Sequence, residues 1–341
     1  MPVRFYRTES GGTPVLDWLR GLDRDDRRAI GLDLMRVTEA AALAAARFSG
    51  RGRKDAGDEA AVEAMRSALS RVPIAGIVVI GEGEKDEAPM LFNGERVGSG
   101  EGPALDVAVD PVDGTSLLAQ GRPDSISVIA AAPRGTMWHP GPAFYMDKLV
   151  VARDAREAIS PSNLGAPAAD TLAAIARAKG KAVEDLTVFV LDKPRHQDLM
   201  ASIRATGARV LSRTDGDVVG GILAATPGSG VDAAMGIGGT PEGVITACAV
   251  RALGGAMLGR PSPQKAGERE AALAAGLDLD RILTERDLVA SEDVFFAATG
   301  ITDGALLRGV RYGAGGATTE SLVLHGTNGS RRTVRCEHRR S

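Results

Sequence analysis

Between residues 164 and 253 the chain switches repeatedly between two periodicities, and few folds accommodate that. Residues 172–179 carry apolar side chains at helical spacing, and TVFVL at 187–191 is a short run of β-branched and aromatic residues. Residues 197–206 return to the helical period. Then 209–211 read as extended, 218–225 as helix, 231–235 as strand and 244–253 as helix. Strands alternating with helices predict a layered α/β sheet. The first half is compatible, with helices expected over 25–47 and 59–70. Strands are expected at 77–80, 105–109, 125–132 and 149–152. After an Ala-rich charged segment at 261–276, exposed as helix or loop, a last buried strand is expected at 295–298. Hairpins around Gly-rich turns follow it. No Pro- or Ser-rich linker separates independent domains. The 341 residues suffice for one large or two medium ones.

Bulk properties narrow the function. A net charge of −3 points away from non-specific nucleic-acid binding, and 4% aromatic residues leave few platforms for stacking bases. Cys248 and Cys336 have no partner near in sequence, which fits a reducing compartment and no zinc cluster. No apolar run approaches the roughly 20 residues that cross a bilayer, and the polar N-terminus lacks a signal-peptide stretch. A cytoplasmic protein with no membrane and no nucleic-acid partner is expected. GIGGTPEG lacks the third glycine of a dinucleotide fingerprint, and no GxxxxGK[ST] loop occurs.

The informative stretch is AVDPVDGTS, residues 108–116, where an apolar run emerges into Asp110, Asp113, Gly114 and two hydroxyls. Asp-Gly and Pro are turn formers, so a bend is one reading. A metal site beside an anion cradle is the other. Three further places put acids at the edge of an expected element. They are Asp58 after a Gly-rich loop, Glu82 to Glu87 after the strand at 77–80, and Glu242 before a helix. Singly, these read as a helix cap, a solvated loop and a first-turn acid. Jointly, carboxylates gathered at strand ends repel unless a cation neutralises them, and oxygen ligands without His or Cys suit Mg²⁺ or Mn²⁺. The backbone N–H groups after Gly114 could hold a phosphate.

The ordered set GRGRKDAGDEAAV, VVIGEGEKDEAPMLFNGERVG, AVDPVDGTS, FYMDKLVV, KPRH, DGDV, GIGGTPEGV and FFAATGIT runs over residues 37 to about 332. Together these segments resemble the class II fructose-1,6-bisphosphatases of bacteria and cyanobacteria, some of which also act on sedoheptulose 1,7-bisphosphate. Asp-Pro-x-Asp-Gly-Thr alone would indicate only the wider metal-dependent, lithium-sensitive phosphatase superfamily. The resemblance implies an α-β-α-β-α sandwich with two mixed sheets. It also implies a metal-binding subdomain at 25–160, a sugar-phosphate-binding subdomain at 161–341, and a homo-oligomer, dimer or tetramer. Residues 1–24 stand apart as an extension without an assigned role, with a slight resemblance to the start of a RelE-like toxin family.

By that resemblance Asp58, Glu82, Asp110, Asp113 and Glu242 are metal ligands for Mg²⁺ or Mn²⁺, with the Val112 carbonyl a further one. Thr115, helped by Asp86, orients the attacking water, and Lys54 sits near the transferred phosphate. Asp113, Gly114 and Thr115 cradle the 1-phosphate. Tyr145 with Lys193, Pro194, Arg195 and His196 holds the sugar and its 6-phosphate, and Asp215, Gly216, Asp217 and Gly239 meet the sugar hydroxyls. One position departs from the pattern: Arg53 stands where an acid is expected. If that acid belongs to the metal region, activity or metal preference changes; if it only caps the loop, little does. Two other readings stay open. One is another phosphomonoesterase of the superfamily, acting on an inositol phosphate or a nucleotide 3′-phosphate. The other is a sugar-phosphate sensor without turnover.

Overall fold

The computed structural model describes residues 30–81 and 90–339. The N-terminal extension, the start of the first expected helix, and Glu82 and Asp86 of the expected site lie outside them.

Among the described residues the strands form two mixed sheets. The larger has eight strands in the order β12-β13-β11-β4-β3-β1-β2, with β14 also paired to β13. These are β1 (Ala75–Ile80), β2 (Arg96–Val97), β3 (Ala104–Asp113), β4 (Ile126–Pro133), β11 (Phe295–Gly300), β12 (Arg311–Gly313), β13 (Gly316–His325) and β14 (Ser330–Arg339). The smaller has six, ordered β10-β9-β5-β8-β6-β7. They are β5 (Tyr145–Val151), β6 (Thr187–Leu191), β7 (Arg209–Arg213), β8 (Ala233–Gly239), β9 (Ala256–Pro261) and β10 (Leu283–Thr284). The expected division at residue 160 does not follow the sheets, because β5 lies in the second and β11 to β14 return to the first.

Alternating side chains of the central strands serve two different cores. Val107 and Val109 of β3 pack with Leu34, Val37 and Ala41 of α1 (Ile30–Ala45) and Met65 of α2 (Lys54–Leu69). Ala108, between them, faces the other way. It belongs to the core built by Val218 and Ile222 of α6 (Asp217–Ala225), Val244 and Ala247 of α7 (Thr240–Leu253), and Met146 and Val150 of β5. On the far face of the second sheet, Leu149 and Val188 meet Leu172 and Ile175 of α4 (Ala168–Lys179) and Met200 and Ile203 of α5 (Gln197–Ala205). The layers are therefore α, β, α, β, α, as the resemblance implies.

The middle layer explains why α6 and α7 are apolar nearly all round, since a helix between two sheets has little solvent face. Close packing requires small residues there: a side chain at Gly220 would collide with the Phe189 ring. Among the described residues no helix is long and apolar enough to cross a membrane.

Candidate active site

The site is built where β3 meets the N-termini of three helices. Pro111 has no N–H to give the ladder, so a strand through it must be irregular. The β3–β4 register runs from Asp110 opposite Val128 to Asp113 opposite Ile126, with a shift between. The Val112 amide, freed from the ladder, donates to Asp110 Oδ1 at 3.0 Å. The expected strand end at 109 therefore moves to 113, because β4 resumes pairing beyond the proline.

The shift turns Asp113 inward. Its residue is 4% exposed, and its Oδ2 has no hydrogen-bond partner. Burial, then the charges of Asp217, Glu242 and Asp215, push its carboxyl well above the ordinary range. Gly114 follows at φ +87°, a left-handed conformation that only glycine adopts cheaply, and starts α3 (Thr115–Gln120). The amide of Ser116 in that helix donates to Asp215 Oδ2 at 3.0 Å, across 99 residues of sequence.

Gly216, also left-handed at φ +79°, caps α6, whose first residue is Asp217. Asp217 Oδ2 accepts from Lys148 Nζ at 2.5 Å, and the same ammonium donates to the Gly239 carbonyl at 2.9 Å. Gly239 caps α7, which carries Glu242 in its first turn. A Cβ on Gly239 would run into the Glu242 carboxylate. From the opposite side α2 brings Asp58, whose pKa is pushed up to about 6 by burial, against the pull of Lys54 and with the help of Asp55.

These elements enclose a cavity of about 730 Å³. It is lined by Lys54, Asp58, Asp110, Asp113, Gly114, Thr115, Tyr145, Lys193, Arg195, Asp215, Gly216, Asp217, Gly239 and Glu242. Segments from residue 54 to residue 242 thus converge on one space. Asn93, Asp55, Ser116 and Phe144 line it as well, and none of them was expected. Cations sit at the rim: Arg195 donates through Nε and a terminal nitrogen to the Ile237 carbonyl at 3.2 and 2.8 Å. Its guanidinium lies 5.2 Å from the Tyr145 ring centroid.

Two expected residues are not at the cavity wall. His196 is 2% exposed; its Nδ1 lies 2.7 Å from the Leu191 carbonyl and its Nε2 accepts from the Ile237 amide at 2.8 Å. Both ring nitrogens bond backbone, and burial lowers its pKa, so in this structure the ring braces β8 at Ile237. Pro194 starts the short 3₁₀ turn Pro194–His196 and is likewise absent from the lining. Arg53 does not line the cavity either, and its guanidinium lies 5.6 Å over the Phe48 ring.

The carboxylates fit a hard cation. Asp58, Asp110, Asp113 and Glu242 offer only oxygen donors, and Asp113 Oδ2 is buried without a donor of its own. Among the described residues no three His, Cys, Asp or Glu side chains stand at metal-ligand spacing. Glu82 lies outside them.

Comparison with known proteins identifies relatives along nearly the whole chain. The family model described as bacterial fructose-1,6-bisphosphatase, glpX-encoded, matches residues 28–338. Fructose-1,6-bisphosphatase 1 class 2 of Escherichia coli strain K12 is 43% identical over 325 residues, spanning 92% of this chain and 96% of its own. The class 2 enzyme of Shigella flexneri matches to the same extent. A solved extragenic suppressor from Pyrococcus furiosus aligns with a TM-score of 0.30 at 12% identity, over 59% of this chain and 71% of its own. That likeness carries no argument.

Proposed function

The chain belongs to the glpX-encoded bacterial fructose-1,6-bisphosphatase family, and from that membership we propose how its cavity works. The protein is a phosphoric monoester hydrolase that converts fructose 1,6-bisphosphate to fructose 6-phosphate and phosphate in gluconeogenesis. The observation that carries the site reading is the buried Asp113 carboxylate. It faces Asp217, Glu242 and Asp215, an arrangement of like charges that calls for a cation.

Asp58, Asp110, Asp113 and Glu242, with Glu82 and the Val112 carbonyl, are the residues we propose to hold Mg²⁺ or Mn²⁺. When bound, such ions neutralise phosphate charge and acidify a water molecule. The chain's own residues do the rest. Lys54 meets the transferred phosphate beside Gly114 and Thr115, and the Thr115 hydroxyl orients the attacking water with Asp86. Asp215 and Asp217 accept hydrogen bonds from sugar hydroxyls near Gly216 and Gly239. Lys193 and Arg195, at the cationic rim beside Tyr145, take the distal 6-phosphate.

Arg195 is held between the Tyr145 ring and the Ile237 carbonyl, so its remaining donors are preorganised. Arg195→Ala should raise KM for fructose 1,6-bisphosphate by about 10- to 100-fold, the worth of a charge-assisted contact, with a smaller change in kcat. Steady-state kinetics check this. An unchanged KM would remove Arg195 from the 6-phosphate site.

A phosphate-release assay with Mg²⁺ and with Mn²⁺ tests the whole reading. Fructose 1,6-bisphosphate should be hydrolysed about 100-fold faster than inositol 1-phosphate or a nucleoside 3′-phosphate. The reverse ranking would identify a different phosphomonoesterase, and binding without release would identify a sensor. Sedoheptulose 1,7-bisphosphate is proposed as a second substrate, since a rim cation can meet either distal phosphate. A cytoplasmic homo-oligomer, dimer or tetramer, completes the proposal, and light scattering of the purified protein checks the assembly.

A further inference from the structure

Lys148 is the least expected charge near the site. It sits on β5, opposite Gly236 of β8 and Gly259 of β9, and is 8% exposed. Its stem runs past α7, where a Cβ on Gly243 would touch its Cδ. Its head emerges between the N-termini of α6 and α7. Helix N-termini repel cations, and an ammonium taken out of water is unfavourable unless its partners compensate. Its partners are the Asp217 carboxylate at 2.5 Å and the Gly239 carbonyl at 2.9 Å. The chain is shaped around this contact, because a Cβ on Gly238 would collide with both Asp217 Oδ2 and Lys148 Nζ.

We propose that Lys148 is a positioning residue that acts through Asp217. By pairing with that carboxylate it neutralises Asp217, which lies near Asp113, and fixes its orientation toward the sugar. The same ammonium draws the cap of α7, and with it Glu242, to a fixed distance from α6. The acidic ring is thereby divided into a half that takes cations (Asp58, Asp110, Asp113, Glu242) and a half that reads the sugar. This rests on the site reading above, and it assigns Lys148 a part in substrate selection that no contact with the reacting phosphate would give it.

The test compares fructose 1,6-bisphosphate with p-nitrophenyl phosphate, which has the ester but no sugar. Lys148→Met should raise KM for the bisphosphate by about tenfold or more, and its kcat/KM on the bisphosphate should fall about tenfold further than on p-nitrophenyl phosphate. In an Asp217→Asn background the same Lys148 substitution should change the bisphosphate KM by less than about threefold. Lys148→Gln, which keeps a donor and a similar stem, serves if the Met variant does not fold and should show the same selectivity. Equal losses on both substrates would overturn the proposal, as would an undiminished KM effect in the Asp217→Asn background. A wild-type protein that releases no phosphate from the bisphosphate would instead remove the site reading, and the role of Lys148 with it.

Discussion

Asp113→Asn is expected to lower turnover of fructose 1,6-bisphosphate by about 10³-fold or more while raising the melting temperature of the metal-free protein. The two effects have opposite signs because one carboxylate serves opposite ends. For folding, Asp113 is a liability: it is buried, Oδ2 has no donor, and three other carboxylates repel it. An amide of the same shape keeps the packing and removes the charge. For catalysis, in the proposed site that charge would hold the cation beside the Gly114–Thr115 cradle, so its loss would not be compensated. Phosphate release and thermal unfolding in chelator measure the two halves. A variant both inactive and less stable would show that Asp113 is an ordinary structural acid.

The second large effect is expected from the metal itself. Chelation should abolish phosphate release, and adding Mn²⁺ or Mg²⁺ back should raise Tm by an amount that grows with pH. Asp58 titrates near the ordinary 3.8 when the chain is unfolded and at about 6 when folded without metal. Below pH 3.8 it is protonated in both states and carries no penalty. As pH rises through about 6 the folded protein is forced to ionise it, and the stability linked to the bound proton is lost. Asp113, raised well above the ordinary range by burial and by the neighbouring acids, adds a loss of the same sign. A divalent cation pairs with the ionised forms, so its stabilisation is small near pH 4 and largest above pH 6, roughly. Calorimetry at the two ends of that window checks the slope. A metal-induced rise in Tm that is equal at both ends would mean that the ions bind elsewhere.

Much of the architecture was readable where local chemistry decides it. TVFVL is a strand over the expected residues because β-branched and aromatic side chains bounded by polar ones have no competing helical period. The misjudged boundaries were set by packing. Helix α2 starts at Lys54, five residues before the expected 59, because Gly57 fits against Phe48 and Leu118 and is no breaker there. Likewise α7 begins at Thr240, with Pro241 in the first turn, where its missing N–H costs nothing.

Asp110, Asp113, Asp215, Asp217 and Glu242 were legible through motifs, since each lies beside a glycine or proline at a strand end or helix start. Lys148 was not, although FYMDKLVV was singled out. Its role depends on the register of β5 against β8 and on where two distant helices begin, which no local pattern encodes. His196 shows the converse: KPRH looks like a uniform cationic run, but the 3₁₀ turn buries its fourth side chain and leaves the third exposed, and both bond the Ile237 backbone.

The central claim is spatial: carboxylates from residue 58 to residue 242 gather around divalent cations in one cavity. Anomalous diffraction from crystals of the active protein soaked in Mn²⁺ measures it directly. Manganese density bounded by Asp58, Asp110, Asp113 and Glu242, about 2.0–2.2 Å from their oxygens, is the predicted result. An enzyme that turns over in the same Mn²⁺ buffer but shows no anomalous peak in that cavity would contradict it.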